Sequence, residues 1–367
     1  MKIALYSRVF PPAVGGMERF AEDLADWMAN RGHSITVVTH TLAAPDVDCG
    51  RPYRVIRESR MPVTEGVFGS VDVVHINGLS LKGITAAFIA KRRPVVTHQG
   101  YQSICPVGLA WSAEGRCEGA AGTSGHCNVC PRRGFAGDIS VRLHRAGANA
   151  ASVNVCISHY LAERAKVPRS VTVYNPVAAK AFSTKPVNRY EGDGVAFAGR
   201  LVAEKGLDVL LNAMAMLPGI RLRIAGDGPM RSEWQRQAAE IGLGRRAEFL
   251  GALSFGELGD LYADAAVVCV PSAWQEPFGY AAAEAMAMGR AVVATPSGAL
   301  PELLADGRGF VAAAPIPRAL AAALEEALGD GYRRGTVERK ARDFALSNLS
   351  MECVGPKYEA LYQAAAS

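Results

Sequence analysis

Two glutamates, Glu276 and Glu284, stand with seven residues between them in EPFGYAAAE, on either side of a Pro-Phe-Gly turn. The turn ends on Gly279 and leads into a run of small residues, AAAEAMAMG, that has the composition of a buried helix. The first N–H groups of a helix lack acceptors within it and favour negative charge, so a phosphate fits there without any side chain. Glu284, five residues into that helix, is placed to accept from two adjacent hydroxyls of a ribose. Glu276, before the turn, points toward whatever is attached beyond the phosphates. Burying an unpaired carboxylate is costly, which favours binding groups over the alternative of solvent-facing acids.

Cations occur at matching places. In AGRLVAEKG, Arg200 closes an apolar run and Lys205 follows five residues later, ahead of a helix near Gly206. Both can reach one anion, and a charge-assisted contact to phosphate is roughly twice as strong as a neutral hydrogen bond. IAGDGP brings Gly226 and Gly228 to the end of another strand, and ATPSGALPELL offers Gly298 with Glu302 as a further anion nest. Near the start, FPPAVGGMERF sets Gly15 and Gly16 before a helix, where backbone N–H groups could approach an anion; a plain strand-to-helix turn explains the pair equally well.

The elements that must hold these residues alternate. KIALYS (2–7), SITVVTH (34–40), VDVVHIN (71–77), PVVTHQ (94–99), SVNVCIS (152–158) and VTVYNPV (171–177) read as strands, with helical patterns between them. MERFAEDLADWMANRG places Phe20, Leu24, Trp27 and Met28 on one face. A polar stretch, STKPVNRYEGDG, then serves as a linker, and a second set begins: VAFAGR (195–200), RLRIAGDG (221–228), AEFLG (247–251), VVCVPS (267–272), AVVAT (291–295) and GFVAA (309–313). With 367 residues, two α/β domains are expected, each a doubly wound, Rossmann-like parallel sheet, facing across a cleft. The expected division is 1–180 and 181–349, followed by a helical pattern over 350–367.

Taken together, these features resemble the retaining, nucleotide-sugar-dependent glycosyltransferases of family 4, which have the GT-B fold. Glu276 and Glu284 after a Pro-Ser strand end are the most specific element, and GRLVAEKG, AGDGP and SGALPEL follow the family's order. The resemblance implies a first domain that binds acceptor and a second that binds the donor, a UDP-sugar on family frequency. It alone implies that the helix over 350–367 packs back on the first domain. Arg200 and Lys205 would bind the diphosphate, Glu284 the ribose and Glu276 the sugar hydroxyls. The N–H groups around Phe278, Gly279 and Tyr280 would meet the phosphate or sugar. VVTHQG is similar to the family's strand that ends in a catalytic histidine, which makes His98 the candidate and His75 the reserve. Gln99 stands where many relatives have Asp, and Ser297-Gly298 where Gly-Gly is commoner. Arg200, Lys205 and a helix N-terminus offer positive partners for the leaving diphosphate, so no catalytic metal is expected. Asp46 and Asp48 of a DVD string are read as solvated. Front-face attack assisted by the leaving phosphate would retain the anomeric configuration. A sugar-nucleotide epimerase or hydrolase, or a non-catalytic nucleotide-sugar sensor, are the rival readings on the same scaffold.

An insertion over 100–135 carries Cys105, Cys117, Cys127 and Cys130, spaced C-x11-C-x9-C-x2-C. Four thiolates satisfy tetrahedral zinc and would fold a loop lacking its own core. Disulfides and free thiols are the alternatives. Residues 1–180 hold 21 Lys and Arg against 13 Asp and Glu, a net +8. No nucleic-acid-binding motif accompanies that excess, whereas peripheral contact with an anionic membrane is consistent with it. A cytoplasmic location is expected, because KIALYS lacks a secretory cleavage pattern. The acceptor and the oligomeric state are not legible.

Overall fold

The structure, a computed structural model, describes residues 1–57, 60–106, 108–112, 115–116, 135–177 and 194–366. They divide into two units, with boundaries between Pro176 and Val177 and between Ser350 and Met351; Gly115 and Arg116 are grouped with the second unit. The expected linker lies mostly outside the described residues.

In the first unit the elements are β1 (Lys2–Ser7), α1 (Gly16–Asn30), β2 (Ser34–Thr39), β3 (Arg54–Ile56), α2 (Met61–Gly69), β4 (Val73–Asn77), α3 (Leu81–Ile89) and β5 (Val95–His98). A two-residue pair, β6 (Trp111–Ser112) and β7 (Gly115–Arg116), precedes α4 (Phe135–Ala150), β8 (Val153–Cys156), α5 (His159–Ala165) and β9 (Ser170–Thr172). Seven strands form one parallel sheet in the order β3-β2-β1-β4-β5-β8-β9. β4 is buried along its whole length, as expected where helices cover both faces of a parallel sheet. Leu5, Phe20, Leu24 and Val95 belong to one core cluster, and Tyr6, Phe68, Ile76 and Ala87 to another. The C-terminal helix, Met351–Ala366, lies with this unit, its Tyr358 and Tyr362 buried beside Phe20. β3 is hidden in the basic run RPYRVIRESR, because a three-residue edge strand flanked by arginines shows no apolar run.

Asp48 corrects the reading of the DVD string as solvated. Its carboxylate takes two bonds from Arg57, both at 2.8 Å, and Arg57 also donates to the carbonyls of Thr41 and Pro11. The Arg57 guanidinium holds the Asp48 carboxyl below its ordinary pKa. The pair braces the loop after β1, and two neighbouring acids in a string cannot show such a partner nine residues away.

In the second unit, β10 (Val195–Ala198), α6 (Leu207–Ala215), β11 (Leu222–Ala225), α7 (Arg231–Glu240), β12 (Ala247–Gly251) and α8 (Phe255–Asp264) come first. β13 (Val267–Val270), α9 (Tyr280–Ala287), β14 (Ala291–Ala294), α10 (Leu300–Leu304), β15 (Phe310–Val311), α11 (Pro317–Gly329) and α12 (Gly331–Asn348) complete it. The strand order is β12-β11-β10-β13-β14-β15, again all parallel. Numbered within the unit this is 3-2-1-4-5-6, the doubly wound order whose direction reverses between its first and fourth strands. Ligands of such sheets bind outside the carboxyl ends at that reversal, here between β10 and β13.

Candidate functional site

The loops leaving β10 and β13 meet at the reversal point of the second sheet. Lys205 lies in a short turn after β10, and its Nζ is 2.6 Å from Glu276 Oε1. Ser272 Oγ donates to the same oxygen at 2.9 Å. Glu276 is 5 % exposed, so its charge is held by an ammonium and a hydroxyl rather than by water. The Lys205 ammonium also stands 5.3 Å from the centre of the Trp274 ring, within cation–π range. One carbonyl ties the two loops together. Glu204 O accepts from Ala273 N at 3.1 Å and Trp274 N at 3.0 Å, and Ser272 Oγ, whose proton goes to the closer Glu276, lies 3.2 Å from it.

The remaining candidates of this unit fall around that pair. Arg200 is largely exposed and leans toward Glu204, 3.8 Å away, so the two cations of AGRLVAEKG do not share a partner. Gly279 caps α9 in the left-handed region at φ 99°, and a Cβ there would press into Leu300. Phe278 is buried and packs edge-on against Tyr280, with ring centres 5.1 Å apart; what it can offer a ligand is backbone. Glu284 is buried within α9. Gly298, at φ 65°, lies directly against the Glu276 backbone, where any side chain would collide, and Ala299 N donates to Glu276 O at 2.8 Å. Gly298 therefore seats Glu276, and Glu302 lies in the first turn of the five-residue helix beyond it. Gly226 and Gly228 likewise abut the backbone at Gly199 and Leu201 rather than open space.

In the first unit His98 ends β5 fully buried. Its Nε2 lies 2.9 Å from Asn154 Oδ1, and Nδ1 has no partner among the described residues. Asn154 donates its amide hydrogens to the carbonyls of Ala148 and Pro168, at 2.9 and 2.7 Å. The amide oxygen must then face the ring, so Nε2 carries the proton and Nδ1 keeps its lone pair. Burial pushes the His98 pKa below the ordinary value, opposed by the Asn154 bond.

Gln99 is fully engaged. It donates to Asn77 Oδ1 at 3.0 Å and Asn175 Oδ1 at 3.3 Å, and accepts from Asn175 Nδ2 at 2.8 Å. Asn77 in turn donates to Ser7 Oγ and to Met17 O in the first turn of α1. A carboxylate at position 99 could not donate to Asn77. His75, the reserve histidine, has Nε2 2.8 Å from Thr97 Oγ1 and Nδ1 2.7 Å from Tyr362 OH, with Thr97 bonded to Tyr358. Both ring nitrogens serve the seat of the C-terminal helix, which removes His75 as a candidate. Gly15 has extended backbone, and the space a Cβ would take is occupied by the Glu18 carboxylate, so an acid of the chain itself sits beside this helix start.

Of the four clustered cysteines, Cys117, Cys127 and Cys130 lie outside the described residues. Cys105 is buried, and its sulfur accepts from Ala110 N at 3.3 Å. Among the described residues no group of three or more His, Cys, Asp or Glu is arranged to hold a metal ion, and no helix is long and apolar enough to cross a membrane. The site residues that motif reading missed are Ser272, Trp274 and Asn154. Only Ser272 carried a sequence signal, in the Pro-Ser ending of its strand.

Two doubly wound parallel sheets of this kind give the chain the GT-B fold. Residues 182–344 match the family model of glycosyl transferases group 1. The chain is similar over its length to solved structures of that fold. The Anabaena protein HepE in complex with UDP aligns at TM-score 0.79 and 21 % identity, covering 99 % of this chain and 100 % of that one. Sucrose-phosphate synthase from Thermosynechococcus elongatus aligns at 0.80 and 20 %, covering both chains completely. Among curated relatives, the D-inositol 3-phosphate glycosyltransferase of Mycolicibacterium smegmatis is 44 % identical over 119 residues, which are 31 % of this chain and 27 % of the relative. The match thus spans about a quarter of that relative. An uncharacterized glycosyltransferase of Methanocaldococcus jannaschii is 26 % identical, covering 96 % of this chain and 97 % of its own.

Proposed function

We propose that the chain is a retaining glycosyltransferase of family 4, which moves a sugar from a nucleoside-diphosphate donor to an acceptor hydroxyl. The observation that carries this reading is the Lys205–Glu276 pair at the reversal point of the second sheet, 2.6 Å apart and followed by the start of α9. A diphosphate has stronger negative charge to offer Lys205 than Glu276 does, so donor binding would draw the ammonium away and free the carboxylate for sugar hydroxyls. Arg200 and the N–H groups after Gly279 would complete the diphosphate site, and Glu284 would take the ribose. These groups stabilise charge on the leaving diphosphate without requiring a metal. The complexes of HepE with UDP and with UDP-glucose support UDP as the first nucleotide to test.

His98 and Glu276 are the side chains proposed to act on the transferred sugar. The first domain is assigned the acceptor. Exposed Phe88, close in sequence to Lys91, Arg92 and Arg93, supports a peripheral contact with an anionic membrane from the cytoplasmic side. The direct test is a mass-spectrometric screen of several nucleotide sugars against mixed acceptors. A glycosylated product with retained anomeric configuration is the expected result. Donor consumed without any acceptor product would move the reading to an epimerase or hydrolase, and binding without turnover would move it to a sensor.

A further inference from the structure

Glu276 uses its two carboxylate oxygens unequally. Oε1 takes both the Lys205 ammonium at 2.6 Å and the Ser272 hydroxyl at 2.9 Å, while Oε2 has no hydrogen-bond partner among the described residues. The side chains that hold Oε1 are anchored differently. Lys205 is long, 23 % exposed, and set on the short turn after β10. Ser272 is fully buried at the end of β13, and the equally buried Thr295, just after β14, donates to its carbonyl at 2.6 Å.

The Ser272 hydroxyl has one proton and two acceptors in reach, Glu276 Oε1 and, at 3.2 Å, Glu204 O. The closer and charged acceptor takes it. Of the two groups on Oε1, the ammonium thus has room to leave and the hydroxyl is fixed. Once the ammonium leaves, a carboxylate that is nearly buried keeps a single hydrogen-bond donor from the protein. A bond to an acceptor that is no longer shared is stronger, and a buried carboxylate without one is costly.

We propose that Ser272 is a positioning residue for Glu276: it keeps Oε1 in place while the Lys205 ammonium passes to the diphosphate, so that Oε2 is the oxygen presented to the sugar. The inference rests on the reading of this site as a nucleotide-sugar site and assigns the residue that carries the carboxylate through the exchange. The hydroxyl stabilises the nucleotide-bound state more than the unbound one, and only such a difference changes affinity.

UDP is the probe, titrated calorimetrically into the full chain in a double-mutant cycle of Ser272→Ala and Lys205→Met. Ser272→Ala is expected to weaken UDP binding roughly tenfold. In Lys205→Met no ammonium leaves Glu276, so adding Ser272→Ala should move UDP affinity by less than about twofold. Glu276→Gln replaces Lys205→Met in the cycle, with the same expectation, if the first double variant does not fold. Equal losses in both backgrounds are what a merely structural role gives, and they overturn the proposal. Wild-type affinity in Ser272→Ala overturns it as well. A wild-type chain that does not bind UDP, or Lys205→Met with undiminished affinity, removes the donor-site reading and this inference together. UDP binding that depends on Lys205 without coupling to Ser272 sinks this inference alone.

Discussion

Lys205 Nζ and Glu276 Oε1, 71 residues apart in sequence, are held at 2.6 Å across the loops that leave β10 and β13. Each is the other's counterion. Glu276→Gln is expected to lower kcat/KM by roughly 10²–10³-fold, as removal of one charge-stabilising group does elsewhere. Lys205→Ala should do the same and cost about 1–3 kcal/mol of stability, because it strands a buried carboxylate. In the double variant Lys205→Met, Glu276→Gln the stability loss should be smaller than the sum of the single losses. Full activity of Glu276→Gln at saturating donor would remove that residue from the mechanism.

His98 should be a single tautomer. Long-range ¹H–¹⁵N correlation spectra should show its Nε2 protonated and Nδ1 bare in the wild type. In Asn154→Leu the ring loses its acceptor and two carbonyls lose their donors, so mixed tautomers and a loss of about 1–3 kcal/mol are expected. An Nδ1-protonated ring in the wild-type protein would contradict the reasoning from the Asn154 amide.

Acid should weaken the fold through the buried histidines. Burial pushes the pKa of His75 down to about 3, below the roughly 6.5 of an unfolded histidine. The unfolded chain therefore binds a proton that the native one refuses. Stability is fully present above pH ~6.5 and falls by about 1.4 kcal/mol per pH unit per such group as pH drops toward 3. Chemical denaturation between pH 7 and pH 4.5 should show a slope about one proton shallower in His75→Gln; an unchanged slope would mean that His75 is protonated in the native state.

Gly298→Ala tests the seat of Glu276. A Cβ at φ 65° would collide with the Glu276 backbone, so the variant should lose about 1–3 kcal/mol and bind UDP-sugar more weakly. Gly289→Ala is the control. It shares a positive φ of 73°, but its Cβ would meet only the Arg342 side chain, at 3.5 Å and beyond. Equal loss of donor affinity in both variants would show that backbone strain alone matters.

Most of the fold was legible because its signals are local. Four-residue apolar runs such as VVCV and AVVA, short and rich in β-branched valine, read as strands buried on both faces, and their alternation with helical patterns implies parallel sheets. EPFGYAAAE announced its turn and helix for the same reason: Gly279 and the alanines act on their immediate neighbours. What the motif reading could not show was pairing. Arg200 and Lys205 look equivalent in AGRLVAEKG, yet Arg200 leans to Glu204 while Lys205 reaches Glu276. His75 and His98 both end strand-like runs, yet one is consumed by Tyr362 and Thr97 while the other keeps a bare nitrogen.

By itself the sequence determined all the strands except β3, β6 and β7, several of the helix starts and the residue types available at each strand end, because periodicity and turn chemistry are properties of adjacent residues. Only the tertiary structure decided which of those residues meet. The strand order brings together loops that are far apart in the chain, placing Ser272 and Lys205 on one carboxylate, Asn154 on His98, and Arg8 beside His40. Such contacts depend on the order of the sheet and on the close approach of backbones at Gly226, Gly228 and Gly298, and neither is encoded in the spacing of any one motif.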